Sequence, residues 1–120
     1  MAKILIVDDA LVMRMNLKKI LTDAGHTVVG EAKSGSEGIW LYKETQPDVV
    51  TMDITMPGMD GIEALKKILD FDPKARVVMV SALSQRRTVL TALEAGAKNY
   101  ILKPIDSQNV PPAIDKAMKL

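Results

Sequence analysis

The 120 residues carry 16 lysines and arginines against 15 aspartates and glutamates, a net charge of +1, and no cysteine. That balance excludes the basic stripe a nucleic-acid backbone requires, and the missing thiols exclude a disulfide framework and thiolate metal sites. The length suits one domain over residues 1–120, with a core that needs no staples and no room for an output module, and a reducing compartment fits, the cytoplasm by default.

Met1-Ala2-Lys3 and four apolar residues before Asp8 are too short for a secretory segment. No run reaches the roughly 18 apolar residues of a membrane span, so no membrane insertion is expected. Lys3 to Val7 is a short β-branched run that reads as a strand buried on both faces and ends in Asp8-Asp9. Residues 11 to 24 switch to helical period, with Met13, Leu17, Ile20, Leu21 and Ala24 on one face, and Gly25 supplies a left-handed stop. His26 reads as a turn residue. Thr27 to Ala32 is the second strand. Ser34-Gly-Ser-Glu37 forms a capping box for a helix ending near Thr45, closed by Pro47, with Trp40 read as packing.

The third strand, 48 to 52, delivers Asp53 to its carboxyl end and breaks at Pro57-Gly58. Asp60 then caps a helix that turns Ile62, Leu65, Ile68 and Leu69 inward, and Pro73 marks its exit. Arg76 to Val80 is the fourth strand and ends in Ser81. Ser84 opens a helix with Val89, Leu90 and Leu93 inward, ended by Gly96. Tyr100 to Leu102 is the fifth strand, ending in Lys103-Pro104, and 107 to 120 carries a last helical stripe of Ala113, Ile114, Ala117 and Met118. The eight methionines read as gap-filling core.

Five apolar strands alternating with five helices, a (βα)5 pattern, require right-handed crossovers and a doubly wound parallel α/β sheet covered on both faces. Ligands of such sheets bind beyond the carboxyl ends of the strands. Asp8, Asp9, Asp53, Ser81 and Lys103 all fall on that edge, and together they outweigh the plainer readings of each alone, a helix cap for Asp8-Asp9 or a solvated cation for Lys103.

Ile-Leu-Ile-Val-Asp8-Asp9, Asp53-Ile-Thr-Met-Pro-Gly-Met-Asp-Gly61, Ser81-Ala82 and Tyr100-Ile-Leu-Lys103-Pro104 resemble the receiver domain of two-component response regulators, in order and over nearly the whole chain. Among its members the chain is most similar to the stand-alone, chemotaxis-type receivers. The flavodoxin-like strand order 2-1-3-4-5 is implied by that resemblance, those receivers being the standard example of it.

The resemblance implies a signalling phosphoprotein rather than an enzyme proper. Asp53 would be the phosphoacceptor, assisted by Lys103 and Ser81. Mg²⁺ would be held by Asp9, Asp53 and the carbonyl of Thr55, with Asp8 acting mainly through water. Physics supports the assignment, because three clustered carboxylates repel and a hard divalent ion relieves them. Ser81 and Tyr100 match the family's switch pair, a hydroxyl that turns toward the phosphoryl oxygens and an aromatic ring that rotates inward behind it. The implied partners are a sensor histidine kinase or phosphotransfer protein upstream and a protein target on the face of the fourth helix, fifth strand and fifth helix, with no nucleic acid and a monomeric state. A phosphorylation-independent receiver-like interaction module is the alternative. A haloacid dehalogenase-type phosphatase needs Asp-x-Asp where Asp9-Ala10-Leu11 stands, and a flavodoxin-like module needs a Ser/Thr/Gly-rich phosphate loop where Leu11-Val12-Met13 stands.

The family's cis Lys-Pro bond predicts a cis Lys103-Pro104 peptide. Apolar Leu83, two residues past the switch hydroxyl, borders the expected path of attacking water. Pro111 and Pro112 forbid a regular helix from Ser107, since each lacks an amide the first turn needs. The expectation is a turn over 107–109, an Asn109 cap, and a helix from Val110 to Met118, which trims one end of the partner face.

Overall fold

The five β-branched runs become β1 (Lys3–Val7), β2 (Thr27–Ala32), β3 (Val49–Asp53), β4 (Val77–Ser81) and β5 (Asn99–Leu102) of one parallel sheet, ordered β2-β1-β3-β4-β5, in a computed structural model that describes residues 1–120. Between and after them lie α1 (Leu11–Asp23), α2 (Gly35–Thr45), α3 (Gly61–Phe71), α4 (Arg86–Ala95) and α5 (Val110–Met118). The expected flavodoxin-like architecture is the observed one.

Alternation along each strand splits the core into two layers. Val50, Met52, Val77 and Met79 face α2, α3 and α4, where Tyr42, Leu65, Ile68, Val89 and Ala92 meet them. Ile4, Ile6, Val78, Val80 and Ile101 face α1 and α5, against Leu17, Leu21, Val110 and Ile114. No helix is long and apolar enough to cross a membrane.

Several local expectations are refined. Strands β3 and β4 run one residue later than their apolar pattern suggests, because Asp53 still pairs with Val80 and Ser81 with Leu102. Both polar residues are therefore the last held positions of their strands. Strand β5 likewise opens one residue early, at Asn99.

Ser84 does not open α4. The Gln85 side chain takes the Ala82 amide at 2.7 Å, a 3-10 turn occupies Leu83–Gln85, and α4 starts at Arg86. Its inward stripe is Val89, Ala92 and Leu93, which leaves Leu90 59% exposed instead of buried. Trp40 is also exposed, at 61%, because α2 buries Gly38 and Tyr42 and a residue two places from each falls on the opposite side. Ala24 caps α1 in solvent instead of packing inward. His26 is buried, its Nδ1 accepting the Ala2 N–H at 3.0 Å, so it pins the start of the chain beyond serving a turn. Met52, Met56 and Met79 fill core, whereas Met15 faces solvent.

The caps at Ser34 and Asp60 form as expected, accepting from Glu37 N–H and Glu63 N–H; the Glu37 carboxylate reaches back to Lys33 N–H rather than Ser34. Lys103-Pro104 is cis, residues 107–109 form a turn, and α5 begins at Val110. The cap there differs. Asp106 Oδ1 accepts the N–H groups of Gln108 and Asn109, both at 2.8 Å, while the Asn109 amide donates to the carbonyls of Leu102 and Pro104 at 3.1 Å. Asn109 thereby ties α5 to the end of β5.

Candidate functional site

Strand β1 ends under unusual control. The Asp8 side chain is buried and its Oδ1 accepts the Ala10 N–H at 2.8 Å, which fixes the turn into α1. Its backbone carbonyl accepts Arg14 Nη1 at 2.7 Å, and Arg14 Nε lies 3.3 Å from Glu31 Oε1 on β2. Arg14 is only 5% exposed, so a guanidinium fixed at both ends clamps the peptide that carries Asp8 and Asp9. Asp9 itself points to solvent.

Asp53 closes β3 in a buried position, and Lys103 Nζ, arriving from the end of β5, donates to its Oδ1 at 3.1 Å. The chain then doubles back: Gly61 N–H donates to the Ile54 carbonyl at 2.7 Å, and a β-carbon on Gly61 would collide with the Asp53 carbonyl. Only glycine allows α3 to start that close to the acidic strand end. Gly58, at φ 77°, makes the preceding turn.

One carboxylate oxygen each from Asp8, Asp9 and Asp53 lies within 4.8 Å of the others. Asp8 Oδ2 is buried with no hydrogen-bond partner. An orphaned buried carboxylate oxygen beside two more acids is the donor set of a hard divalent cation, so the residues present fit Mg²⁺. Burial lifts the Asp8 carboxyl above the usual carboxylate range against the pull of the Ala10 N–H, with the charges of Asp53 and Asp9 adding to the rise. Burial lifts Asp53 as well, outweighing the Lys103 hydrogen bond and charge. Without a cation the cluster resists full ionisation.

The other half of the edge is less complete. Ser81 is fully buried and its Oγ has no partner, while its carbonyl accepts the Lys103 N–H at 2.8 Å. Ser81, Tyr100 and Leu102 sit on the α4 side of the sheet, around an open cavity of about 360 Å³ also lined by Val89, Leu90 and Leu93. Tyr100 is 45% exposed beside it. Thr55 is exposed, and its Oγ1 accepts Gln85 Nε2 at 2.6 Å.

The sequence-predicted residues thus divide: Asp8, Asp9, Asp53 and Lys103 converge, Ser81 and Tyr100 share the neighbouring cavity, and Thr55, two residues past Asp53, is tied to Gln85. Arg14 and Gln85 fall outside every motif, and Gly61 stands inside one without the packing reason that the structure gives it. Arg14 had a visible signal, since it shares a helical stripe with Leu17 and Leu21 and a cation there needs partners. Gln85 had half a signal, because its reach to Ala82 N–H three residues back is a local capping contact, whereas its bond to Thr55 is set by tertiary structure.

The profile of the family described as "Response regulator receiver domain" matches residues 4–115. The chain is 50% identical over 117 residues to the chemotaxis protein CheY of Thermotoga maritima, covering 98% of each, and 52% identical over 116 residues to that of Bacillus subtilis, covering 97% of each. A solved CheX-CheY-BeF3-Mg²⁺ complex from Borrelia burgdorferi superimposes with a TM-score of 0.87 at 39% identity, over 98% of this chain and 87% of that one.

Proposed function

The chain belongs to the response regulator receiver domain family, the phosphorylation-dependent relays of two-component systems, and we propose that Asp53 is its phosphoryl acceptor. The observation that carries this is the Lys103 Nζ at 3.1 Å from Asp53 Oδ1, within a cluster whose three carboxylates lie within 4.8 Å. In this reading residues 1–120 act as one receiver.

An Asp53 oxygen attacks the phosphorus of a phosphohistidine on a sensor kinase or phosphotransfer protein. The new P–O bond forms as the P–N bond breaks, and the departing imidazole nitrogen takes its proton from solvent. Transfer through a loose transition state asks for positioning and charge rather than a general base, which suits a site with no histidine, the chain's only one, His26, being held by Ala2 N–H at the start of β1. Asp8, Asp9, Asp53 and the Thr55 carbonyl would hold Mg²⁺, which when bound neutralises the acids and draws in the phosphoryl oxygens. Lys103 already lies against the acceptor and moves to the incoming oxygens. Arg14 keeps the Asp8-Asp9 peptide in place throughout.

Output runs through Ser81 and Tyr100. A dianion on Asp53 gives the orphaned Ser81 Oγ its partner, and the cavity beside Ser81 accepts the Tyr100 ring as it leaves solvent. The face of α4, β5 and α5 then changes shape for a protein target. The Borrelia complex pairs a CheY with CheX, and a protein target of that kind is the expected class of downstream partner. No enzyme activity beyond assistance of its own phosphorylation and dephosphorylation is assigned, and the working state is a cytoplasmic monomer.

Intact-mass measurement after incubation with Mg²⁺ and acetyl phosphate tests the reading: the wild-type chain gains one phosphoryl group and Asp53→Asn gains none. A label mapped to Asp8 or His26 overturns it.

A further inference from the structure

Gln85 lies outside every motif of the chain, yet one side chain bridges both loops that flank Asp53. Its Oε1 accepts the Ala82 N–H at 2.7 Å and its Nε2 donates to Thr55 Oγ1 at 2.6 Å. Ala82 directly follows Ser81, and Thr55 stands two residues past Asp53. We propose that Gln85 is a positioning residue that latches the unmodified conformation by holding Ala82 to Thr55, so that phosphorylation of Asp53 must work against it. The proposal rests on the reading of Asp53 as acceptor.

Three observations support it. First, the Ser81 hydroxyl is buried without a partner, which disfavours the unmodified arrangement, so something else must hold that arrangement in place. Second, Asp53 pairs with Val80, so Ser81 is one residue beyond the acceptor on the neighbouring strand, and phosphoryl oxygens on Asp53 draw its Oγ across. Third, the Ser81–Ala82 peptide is held at both ends, its carbonyl accepting Lys103 N–H at 2.8 Å and its N–H donating to Gln85 Oε1 at 2.7 Å, and the Gln85 bond is the one that can break without disturbing the pairing of β4 with β5. The latch and the phosphoryl group therefore compete for one short segment. Contacts made in one conformer only shift the balance between the two by their own free energy.

Isothermal titration with beryllofluoride at saturating Mg²⁺ tests the latch, with wild type, Asp53→Asn, Gln85→Met, Thr55→Val and the double variant Gln85→Met/Thr55→Val. Gln85→Met keeps the apolar stem and loses both hydrogen bonds, so the metal-free variant melts at a lower temperature yet binds beryllofluoride about fivefold to tenfold tighter. Movement in opposite directions is the signature, because a merely structural residue weakens both. Thr55→Val tightens binding less, and the double variant gains no more than Gln85→Met alone, since the two single changes remove a shared bond. Unchanged or weaker binding in Gln85→Met beside normal wild-type binding overturns the latch alone. Equal binding by wild type and Asp53→Asn, or none by wild type, overturns the acceptor assignment and the latch with it.

Discussion

The carboxyl edge of the sheet is built in two halves of different completeness. On the β1 and β3 side the backbone around the acids is fixed by Arg14, Ala10 N–H and the Gly61 contact, above a fully buried layer of Ile4, Ile6, Leu17 and Leu21. On the β4 and β5 side a cavity of about 360 Å³ lies beside the buried Ser81 hydroxyl, and Tyr100 and Leu90 face solvent. Chemistry needs preorganised groups, and a switch needs an element with two arrangements close in free energy. The same sheet provides both by finishing one half and leaving the other loose.

Adjacent residues of β5 break this contrast most sharply. Ile101 faces the filled layer and Tyr100 the open one. Ile101→Ala is expected to cost about 2 to 5 kcal/mol, while Tyr100→Ala stays within about 0.5 kcal/mol. Urea melts of both variants read the difference, and comparable losses would mean that the α4 side is as tightly built as the other. Gly61→Ala comes next: a methyl group against the Asp53 carbonyl forces the strand end or α3 to shift, costing about 1 to 3 kcal/mol and slowing phosphorylation by acetyl phosphate. A variant with wild-type stability and rate would show that this half gives way easily.

The acids supply a smaller effect of opposite sign. Asp8 and Asp53 carboxyls lie above their usual range, so the folded chain binds protons more tightly than the unfolded one. Metal-free stability therefore falls as pH rises from the ordinary carboxylate range through the raised values of these groups. Asp8→Asn keeps the Ala10 bond and removes one charge. It is expected to raise the metal-free melting temperature at neutral pH by about 4 °C, roughly 1 kcal/mol, and to flatten the pH profile, as calorimetry from pH 4 to 8 would read. Mg²⁺ should stabilise the wild type more than this variant. The smallest change in stability belongs to Leu83→Gln, which alters an exposed side chain by less than about 0.5 kcal/mol yet is expected to change the dephosphorylation half-life measurably. An unchanged half-life would remove Leu83 from the water path.

The amino-acid pattern by itself determined the alternating elements, the covered parallel sheet and the acidic strand ends, because strand and helix periods, turn glycines and strand-terminal carboxylates are local signals. It also located the start of α5, since two missing proline amides leave few helical registers. The family resemblance, not the periodicity, supplied the strand order and the roles of Ser81 and Tyr100. Tertiary structure alone decided the rest. Leu90 and Trp40 looked like core and lie in solvent, because the phase of a helix on its sheet is set by which residues pack, here Val89 with Ala92 and Gly38 with Tyr42. Gln85 joins Thr55 across 30 residues and Arg14 reaches Glu31 on β2, while Asn109 folds back on the end of β5, and such a bond exists only once the fold brings donor and acceptor within 3 Å or so of each other.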